Sequence, residues 1–319
     1  MYTDRADLPG NRKTDMKNRS LRGSLLLLLA AVIWGGAFAA QRVGMDHLGP
    51  LFFNGTRMLM AGVALLPVIL LSDRRKPART ERTDVQRRDQ RIAGCLCGVL
   101  LFVSSTLQQI GLKYTAAGKA GFITALYVVL VPVAGWLLFR KNPGRAIRVS
   151  VLLAVAGLWL LCVPAGGLEL NIGDLYVLGC AICFTGHILT VDHYSPRTDG
   201  LRLSCTQFFV CGVLSVGISL FTETVTAEGI RGAMIPLLYA GILSGAVGYT
   251  LQIVAQRDTN PTVASLMMCL ESVFAVLSGA LILGERMSGR EAAGCAVMFT
   301  AVILAQLSPL IAGKRRRAA

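Results

Sequence analysis

Long apolar runs separated by short charged stretches dominate the pattern of this chain. Eight runs contain no Asp, Glu, Lys or Arg, and two more contain one charge each, Arg57 and Glu271. Each run has about the 20 residues that a helix needs to cross the hydrocarbon core of a bilayer. The runs are continuous rather than alternating, which favours helices over barrel strands. The ten runs, called segments 1 to 10 throughout, lie at 23–41, 50–72, 92–112, 120–139, 149–168, 175–191, 203–222, 232–256, 259–284 and 292–313.

The pattern therefore predicts an all-α integral membrane protein of ten transmembrane helices, and the composition agrees. Hydrophobic residues make up 54% of the 319, charged residues 16%, and the mean hydropathy is +0.58. The nine cysteines all lie within the segments, so even Cys180-x-x-Cys183 is interpreted as core packing rather than a metal or redox site. The sequence contains no G-x-x-x-x-G-K-[ST], H-E-x-x-H or G-x-S-x-G motif. We expect no enzyme, no ATP-driven pump, no metal and no cofactor.

The positive charge of the chain is concentrated in one set of loops. Of the 32 Lys and Arg residues, 25 fall in the termini and the loops after the even-numbered segments, 6 fall in the opposite loops, and Arg57 lies within segment 2. Such a bias marks the cytoplasmic side of a membrane protein. We therefore predict a multi-pass protein of the plasma (inner) membrane with both termini cytoplasmic. The loops account for the net charge of +14, so no nucleic-acid partner is expected.

The sequence also matches itself at a nearly constant offset. Gly36 matches Gly186 at an offset of 150, and Gln108 matches Gln252 at an offset of 144. The matches pair segments 1–4 with segments 6–9, which predicts two halves of five helices, the second inverted because five is odd. Inverted halves of nearly equal energy allow alternating access around one midplane site. We expect a basic cytoplasmic segment at 1–22, a first repeat at 23–168, a second at 171–311 and a basic cytoplasmic tail at 312–319.

Several motifs occur in an order that resembles a known family. They are AVIWG at 31–35, the helix of Arg57, GFITALYVVLVP at 121–132, ESVFA at 271–275 and LGER at 283–286. Together they resemble the EamA-type permeases of the drug/metabolite transporter superfamily over essentially the whole chain. The resemblance implies a ten-helix permease with two EamA-like repeats, often moving amino acids or other small metabolites outward. Ser272 departs from the family, which often has proline after the glutamate.

The two charges inside segments are the first candidates for function, because a charge in the bilayer interior costs several kcal/mol. For Glu271 we expect a substrate-ammonium ligand or a proton-coupling carboxylate; the alternative is a structural partner of Arg57 or of a helix backbone. For Arg57 the alternative is snorkelling to the interface.

Polar groups also recur at matching positions of the two halves, and we expect several to line one central cavity. Arg57 matches Gln207, Tyr127 matches Glu271, and Gln108 matches Gln252. Packing or interhelical hydrogen bonding is the alternative for the aromatic residues, the histidine and the glutamines. The candidate substrate-binding or coupling residues are Trp34, Arg57, Gln108, Tyr127, His187, Gln207, Gln252, Gln256 and Glu271.

The predicted function is transport of a small polar metabolite, with export or exchange of amino-acid-like compounds by alternating access as the leading interpretation. The alternatives are a nucleotide-sugar or phosphate-ester antiporter, which would need several basic residues in the cavity, and a non-transport membrane scaffold or sensor. The expected partners are the small-molecule substrate and the lipid bilayer. The sequence leaves homo-oligomerisation, the substrate and the coupling ion open.

Overall fold

The computed structural model of the protein describes residues 9–75, 83–115, 117–140, 143–163, 171–283 and 287–318. Within these ranges the regular secondary structure is helical and contains no strand. The first half contains the helices Pro9–Met45, Pro50–Arg75, Asp84–Gly111, Ala117–Ala125, Tyr127–Phe139 and Arg145–Cys162. The second half contains Ile172–Tyr194, the 3-10 turn Ser195–Arg197, Gly200–Thr222, Ala227–Gly232, Met234–Leu238, the π-helix Tyr239–Tyr249, Thr250–Gln256, Pro261–Met268, Leu270–Leu283 and Gly289–Ala318.

Nine stretches of the described helices are long and apolar enough to cross a membrane. They correspond to the predicted segments 1 to 8 and 10. The predicted segment 9 contains a shorter apolar helix, Pro261–Leu277, in the described part of the chain. The class of helical membrane protein is thus confirmed, whereas the count of ten and the inverted arrangement stay predictions.

Polar side chains cap the start of segment 6, close to the predicted boundary between the halves. Asn171 accepts a hydrogen bond from the backbone N–H of Asp174 (3.2 Å), and the Asp174 carboxylate accepts one from the backbone N–H of Asn171 (2.7 Å). This reciprocal capping satisfies backbone donors that the first helical turn leaves unpaired. The hydroxyl of Thr115, after segment 3, donates to the same carboxylate at 2.8 Å. The capping box therefore also ties segment 6 to the loop that follows segment 3.

Glycines allow close crossing of segments 2 and 7 and of segments 5 and 10. A Cβ added at Gly62 would lie 3.1 Å from the ring of Phe209, and one added at Gly212 would lie 2.7 Å from Leu59. These two contacts are reciprocal, because Gly62 matches Gly212 and Leu59 matches Phe209 at the offset of 150. In the other crossing, a Cβ added at Gly157 would lie 2.8 Å from Met298, and one added at Gly294 would lie 2.8 Å from the backbone of Leu161. These two contacts are also reciprocal. The predicted duplication would place equivalent contacts in the two halves in this way.

Carboxylates also hold segments 2 and 7 together at their ends. Glu223 follows segment 7 and accepts hydrogen bonds from the backbone N–H groups of Leu51 (2.9 Å) and Phe52 (2.8 Å), at the start of segment 2. Asp73 lies 150 residues before Glu223, follows segment 2, and pairs with Arg202 at the start of segment 7. Each contact joins two loops that the charge bias assigns to one side of the membrane, as the predicted alternation requires.

Candidate functional site

A narrow cavity lies among segments 1, 2, 3, 4, 6, 8 and 9. Its volume is about 50 Å³, enough for a few water molecules. Six of the nine candidate residues line it: Trp34, Arg57, Gln108, Tyr127, Gln252 and Glu271. The remaining lining residues are Ala37, Phe38, Gln41, Thr124, Phe184, Ile188, Ser244, Tyr249 and Met268.

Much of the cavity wall consists of residues at matching positions of the two halves. Five such pairs account for ten of the lining residues, so each half contributes one member of every pair. The pairs are Trp34 with Phe184 and Phe38 with Ile188, at the offset of 150, and Gln108 with Gln252, Thr124 with Met268 and Tyr127 with Glu271, at the offset of 144. The cavity therefore lies where the predicted two-fold relation would place it, between the halves.

Arg57 is buried, with 2% of its surface exposed, so it does not snorkel to the interface. Its Nε and Nη2 donate to the Oδ1 of Asn54 at 3.1 and 3.0 Å. The Asn54 amide nitrogen in turn donates to the hydroxyls of Ser105 (2.9 Å) and Ser215 (3.1 Å). Asn54 is neutral, so this network orients the guanidinium without neutralising it.

Glu271 is also buried, with 6% of its surface exposed, and it lines the same cavity as Arg57. The Tyr127 hydroxyl donates to its Oε1 at 3.4 Å. In the described part of the chain neither Glu271 nor Arg57 takes part in an ion pair, so the expected alternative, a structural pair between them, is not observed. Among the described residues, the cavity thus contains one guanidinium group and one carboxyl group, each held by uncharged neighbours.

Aromatic rings form one wall of the cavity. The rings of Trp34 and Tyr249 lie 5.0 Å apart between centroids, and the Trp34 indole N–H donates to the carbonyl of Ser244 at 3.1 Å. Ser244 and Tyr249 belong to the π-helix of segment 8, a helix type that is rare and frequent at functional sites. A Cβ at Gly248 would lie 2.5 Å from Trp34 Nε1, so the indole packs directly against this part of the helix backbone.

The glutamines of the cavity are already partly hydrogen-bonded. Gln108 donates to the hydroxyl of Thr124 at 3.2 Å. Gln252 donates to Gln256 at 2.9 Å, and Gln256 donates to the carbonyl of Ile188 at 3.2 Å. Gln256 is therefore a neighbour of a lining residue rather than a lining residue itself.

The structure does not bring His187 and Gln207 to the cavity wall. They are fully buried and contact each other, with 3.0 Å between His187 Nε2 and Gln207 Oε1. Since the amide oxygen is an acceptor, Nε2 carries the hydrogen in this arrangement. His187 Nδ1 and Gln207 Nε2 have no hydrogen-bond partner among the residues that the structure describes. The position that matches Arg57 in the second half therefore holds a glutamine that contacts a buried histidine.

Sequence reasoning missed Asn54, Gln41, Phe184 and Tyr249. Phe184 had a usable signal, because it matches Trp34 at the offset of 150. Asn54 and Arg57 are three residues apart on one helix, a spacing at which side chains meet. Nothing in the sequence distinguished Tyr249 or Gln41, whose approach to the cavity depends on how segments 8 and 1 pack.

No group of three or more His, Cys, Asp and Glu side chains that could hold a metal occurs in the described ranges of the chain. What the geometry does provide is a polar cavity lined by Arg57 and Glu271, on seven helical segments of which six are long and apolar enough to cross a membrane in the described part of the chain. Many transporters bind their solutes in polar cavities between membrane helices. The fold and the cavity together define a multi-pass membrane protein of the transporter type.

The model of the EamA-like transporter family matches this chain twice, over residues 21–163 and 171–307, and the chain belongs to that family. The expectation drawn from the sequence motifs is thereby confirmed. An uncharacterized transporter of Archaeoglobus fulgidus is 31% identical over 91% of this chain and 87% of its own length. A relative from Chlamydia muridarum, named an S-adenosylmethionine/S-adenosylhomocysteine transporter, is 26% identical over 82% of this chain and 84% of its own length.

A solved crystal structure has the same fold. It superimposes with a TM-score of 0.73 at 16% sequence identity and covers 89% of this chain and 96% of the solved chain. At this identity the similarity establishes the fold alone.

Proposed function

We propose that this transporter moves a small zwitterionic metabolite of the amino-acid type, by export or exchange, and binds it in the central cavity. The observation that carries the proposal is the presence of two buried ionisable side chains, Arg57 and Glu271, which line one cavity without pairing with each other. A buried charge is costly unless it finds a partner. A solute with one carboxylate and one ammonium would supply a partner to both.

The chemistry of each group defines its role in binding. The Nε and Nη2 atoms of Arg57 donate hydrogen bonds to Asn54, so Nη1 can donate to a substrate carboxylate. Glu271, with one oxygen bonded to Tyr127, has its second oxygen for an ammonium group. Trp34 and Tyr249 offer aromatic surface to the remainder of the solute.

The small volume of the cavity supports a mechanism in which the helices must separate for a solute to enter. A cavity of about 50 Å³ holds only a few water molecules and leaves little room for a solute with a side chain. The matching pairs in its wall support two conformations of similar energy in which the halves exchange roles. Alternating access between the two sides of the plasma membrane, with both termini cytoplasmic, is the mechanism we propose.

Arg57 is the one basic residue among those lining the cavity in the described part of the chain, which favours a single carboxylate over a phosphate ester or nucleotide sugar. A second candidate is an adenosylated sulfonium amino acid, because relatives at 26% identity are named S-adenosylmethionine/S-adenosylhomocysteine transporters. Such a compound carries the same carboxylate and ammonium, and the Trp34–Tyr249 wall suits a planar base. Trp34→Leu would then reduce exchange of adenosyl compounds more than exchange of small amino acids.

The test is counterflow in proteoliposomes preloaded with a mixed pool of amino acids and adenosyl amino acids. We expect Glu271→Gln to weaken the apparent affinity for the solute about 30-fold or more. The substitution removes the partner of the substrate ammonium, and removing one member of a buried charge pair costs about 2 kcal/mol or more. Glu228→Gln, a change of an exposed glutamate, serves as the matched control and should exchange like the wild type.

Analogues that lack one charge separate the two roles. A carboxamide analogue, without the carboxylate, should lose its sensitivity to Arg57→Gln, and an N-acetyl analogue, without the ammonium, should lose its sensitivity to Glu271→Gln. Exchange by Glu271→Gln at the wild-type rate and affinity, in protein with a normal size-exclusion profile, contradicts the proposal. No exchange by folded wild-type protein across the pool contradicts the substrate class.

A further inference from the structure

A second cavity, unrelated to the central one, lies on the outer surface between segments 4 and 5. Its volume is about 440 Å³, and its wall is apolar except at one end. The lining residues include Val129, Val133 and Trp136 on segment 4 and Leu152 on segment 5, with Arg148 at the end where segment 5 begins. Trp136 and Leu152 are exposed (54% and 71%), so the cavity is a groove that opens outward.

The position of the groove determines whether it faces lipid or water. Segments 4 and 5 each have a described helix that is long and apolar enough to cross a membrane. An outward-facing apolar groove on such helices faces lipid rather than water. From Val129 to Trp136 the groove runs about 10 Å along the helix, and the helix ends three residues later. This length is comparable to one leaflet, about 15 Å of hydrocarbon.

The positive charge at the polar end of the groove indicates which lipid head group would fit there. Arg148 lines the groove at its polar end and is exposed, and Arg145 lies three residues earlier on the same helix face. Both arginines belong to the loop region that the charge bias assigns to the cytoplasmic side. Basic pockets between membrane helices on that side bind anionic lipid head groups.

We propose that this groove is a binding site for an anionic diacyl phospholipid, with one acyl chain along Val129, Val133 and Trp136 and the phosphate beside Arg148. The apolar wall excludes a free phosphate ion as the preferred ligand, since such an ion would use the arginine alone. The site is separate from the central cavity, which shares none of its lining residues, and the proposal does not depend on the substrate.

The experiment uses Trp136 as a reporter of lipid contact. The chain has three tryptophans; Trp34 faces the central cavity, and Trp159→Phe removes the other exposed one. The full-length Trp159→Phe protein is reconstituted in phosphatidylcholine vesicles that contain a small fraction of acyl-brominated phosphatidylglycerol or acyl-brominated phosphatidylcholine. Bromine quenches an indole that it contacts, so the fluorescence loss reports occupancy of the groove.

We expect brominated phosphatidylglycerol to quench more than brominated phosphatidylcholine at equal mole fraction. Arg148→Gln should lower the apparent affinity for phosphatidylglycerol about fivefold, the effect of one basic residue at an anionic surface. Arg87→Gln, which removes an exposed arginine outside the groove, is the matched control and should keep the preference. Val133→Phe, which narrows the groove without a charge change, should reduce quenching by both lipids.

Three results overturn the proposal. Equal quenching by the two lipids in the Trp159→Phe protein shows that the groove has no preference for an anionic head group. Retention of the preference for phosphatidylglycerol in Arg148→Gln shows that Arg148 does not bind the head group. Protection of the indole from both brominated lipids shows another occupant, such as a second copy of the chain.

Discussion

Asn54→Asp tests whether the free charge of Arg57 is what the transporter uses. The substitution keeps an oxygen where the Asn54 Oδ1 now accepts two hydrogen bonds from the guanidinium, but it adds a negative charge there. Ser105 and Ser215, which now accept from the amide nitrogen, can rotate their hydroxyls to donate to a carboxylate instead. We therefore expect the protein to fold and Arg57 to become neutralised.

The distances define the size of the effect. Opposite charges about 3 Å apart attract by about 5 kcal/mol at an effective dielectric constant of 20, before desolvation of the new carboxylate is subtracted. A substrate carboxylate would then have to compete with an internal partner that is always present. We expect a loss of about 2 kcal/mol in binding, or about a 30-fold rise in the KM for a zwitterionic solute.

Counterflow with a zwitterion and with its carboxamide analogue measures the effect. The KM should rise for the zwitterion and change little for the carboxamide, since only the first uses Arg57. Asn260→Asp is the matched control, because Asn260 caps the helix Pro261–Met268 from an exposed position, and aspartate caps as well as asparagine does. An unchanged KM for the zwitterion in folded Asn54→Asp protein would refute the role assigned to the guanidinium.

Two further substitutions test the packing around the site. Glu223→Ala removes the acceptor for two backbone N–H groups at the start of segment 2; we expect about 2 kcal/mol lower stability and a lower midpoint in thermal unfolding, with Glu228→Ala, at an exposed glutamate, unchanged. Gly248→Ala places a Cβ 2.5 Å from Trp34 Nε1, so we expect displacement of the indole and at least a tenfold loss of exchange, from about 1.5 kcal/mol or more of overpacking. Gly217→Ala, where the added Cβ would meet no described atom within 4 Å, should exchange normally. Equal behaviour of either variant and its control contradicts the contact in question.

The sequence alone determined the membrane class of the protein, because the residues of a span that crosses lipid must be predominantly apolar. Long charge-free runs are readable without any knowledge of packing, and the described helices confirm them. The two charges inside the runs were readable for the same reason, since a charge in lipid is costly wherever it lies. Glu271 and Arg57 were therefore identified before the cavity that contains them was known.

The tertiary structure decided which polar residues share the cavity and which do not. Gln207 matches Arg57 in sequence, yet it pairs with His187 away from the cavity wall, whereas Tyr249, which no pattern distinguished, lies against Trp34. Each of these outcomes depends on the rotation and local winding of a helix, as in the π-helix of segment 8. Spacing along one segment defines which side chains share a helix face, but contacts with the other helices decide where that face points.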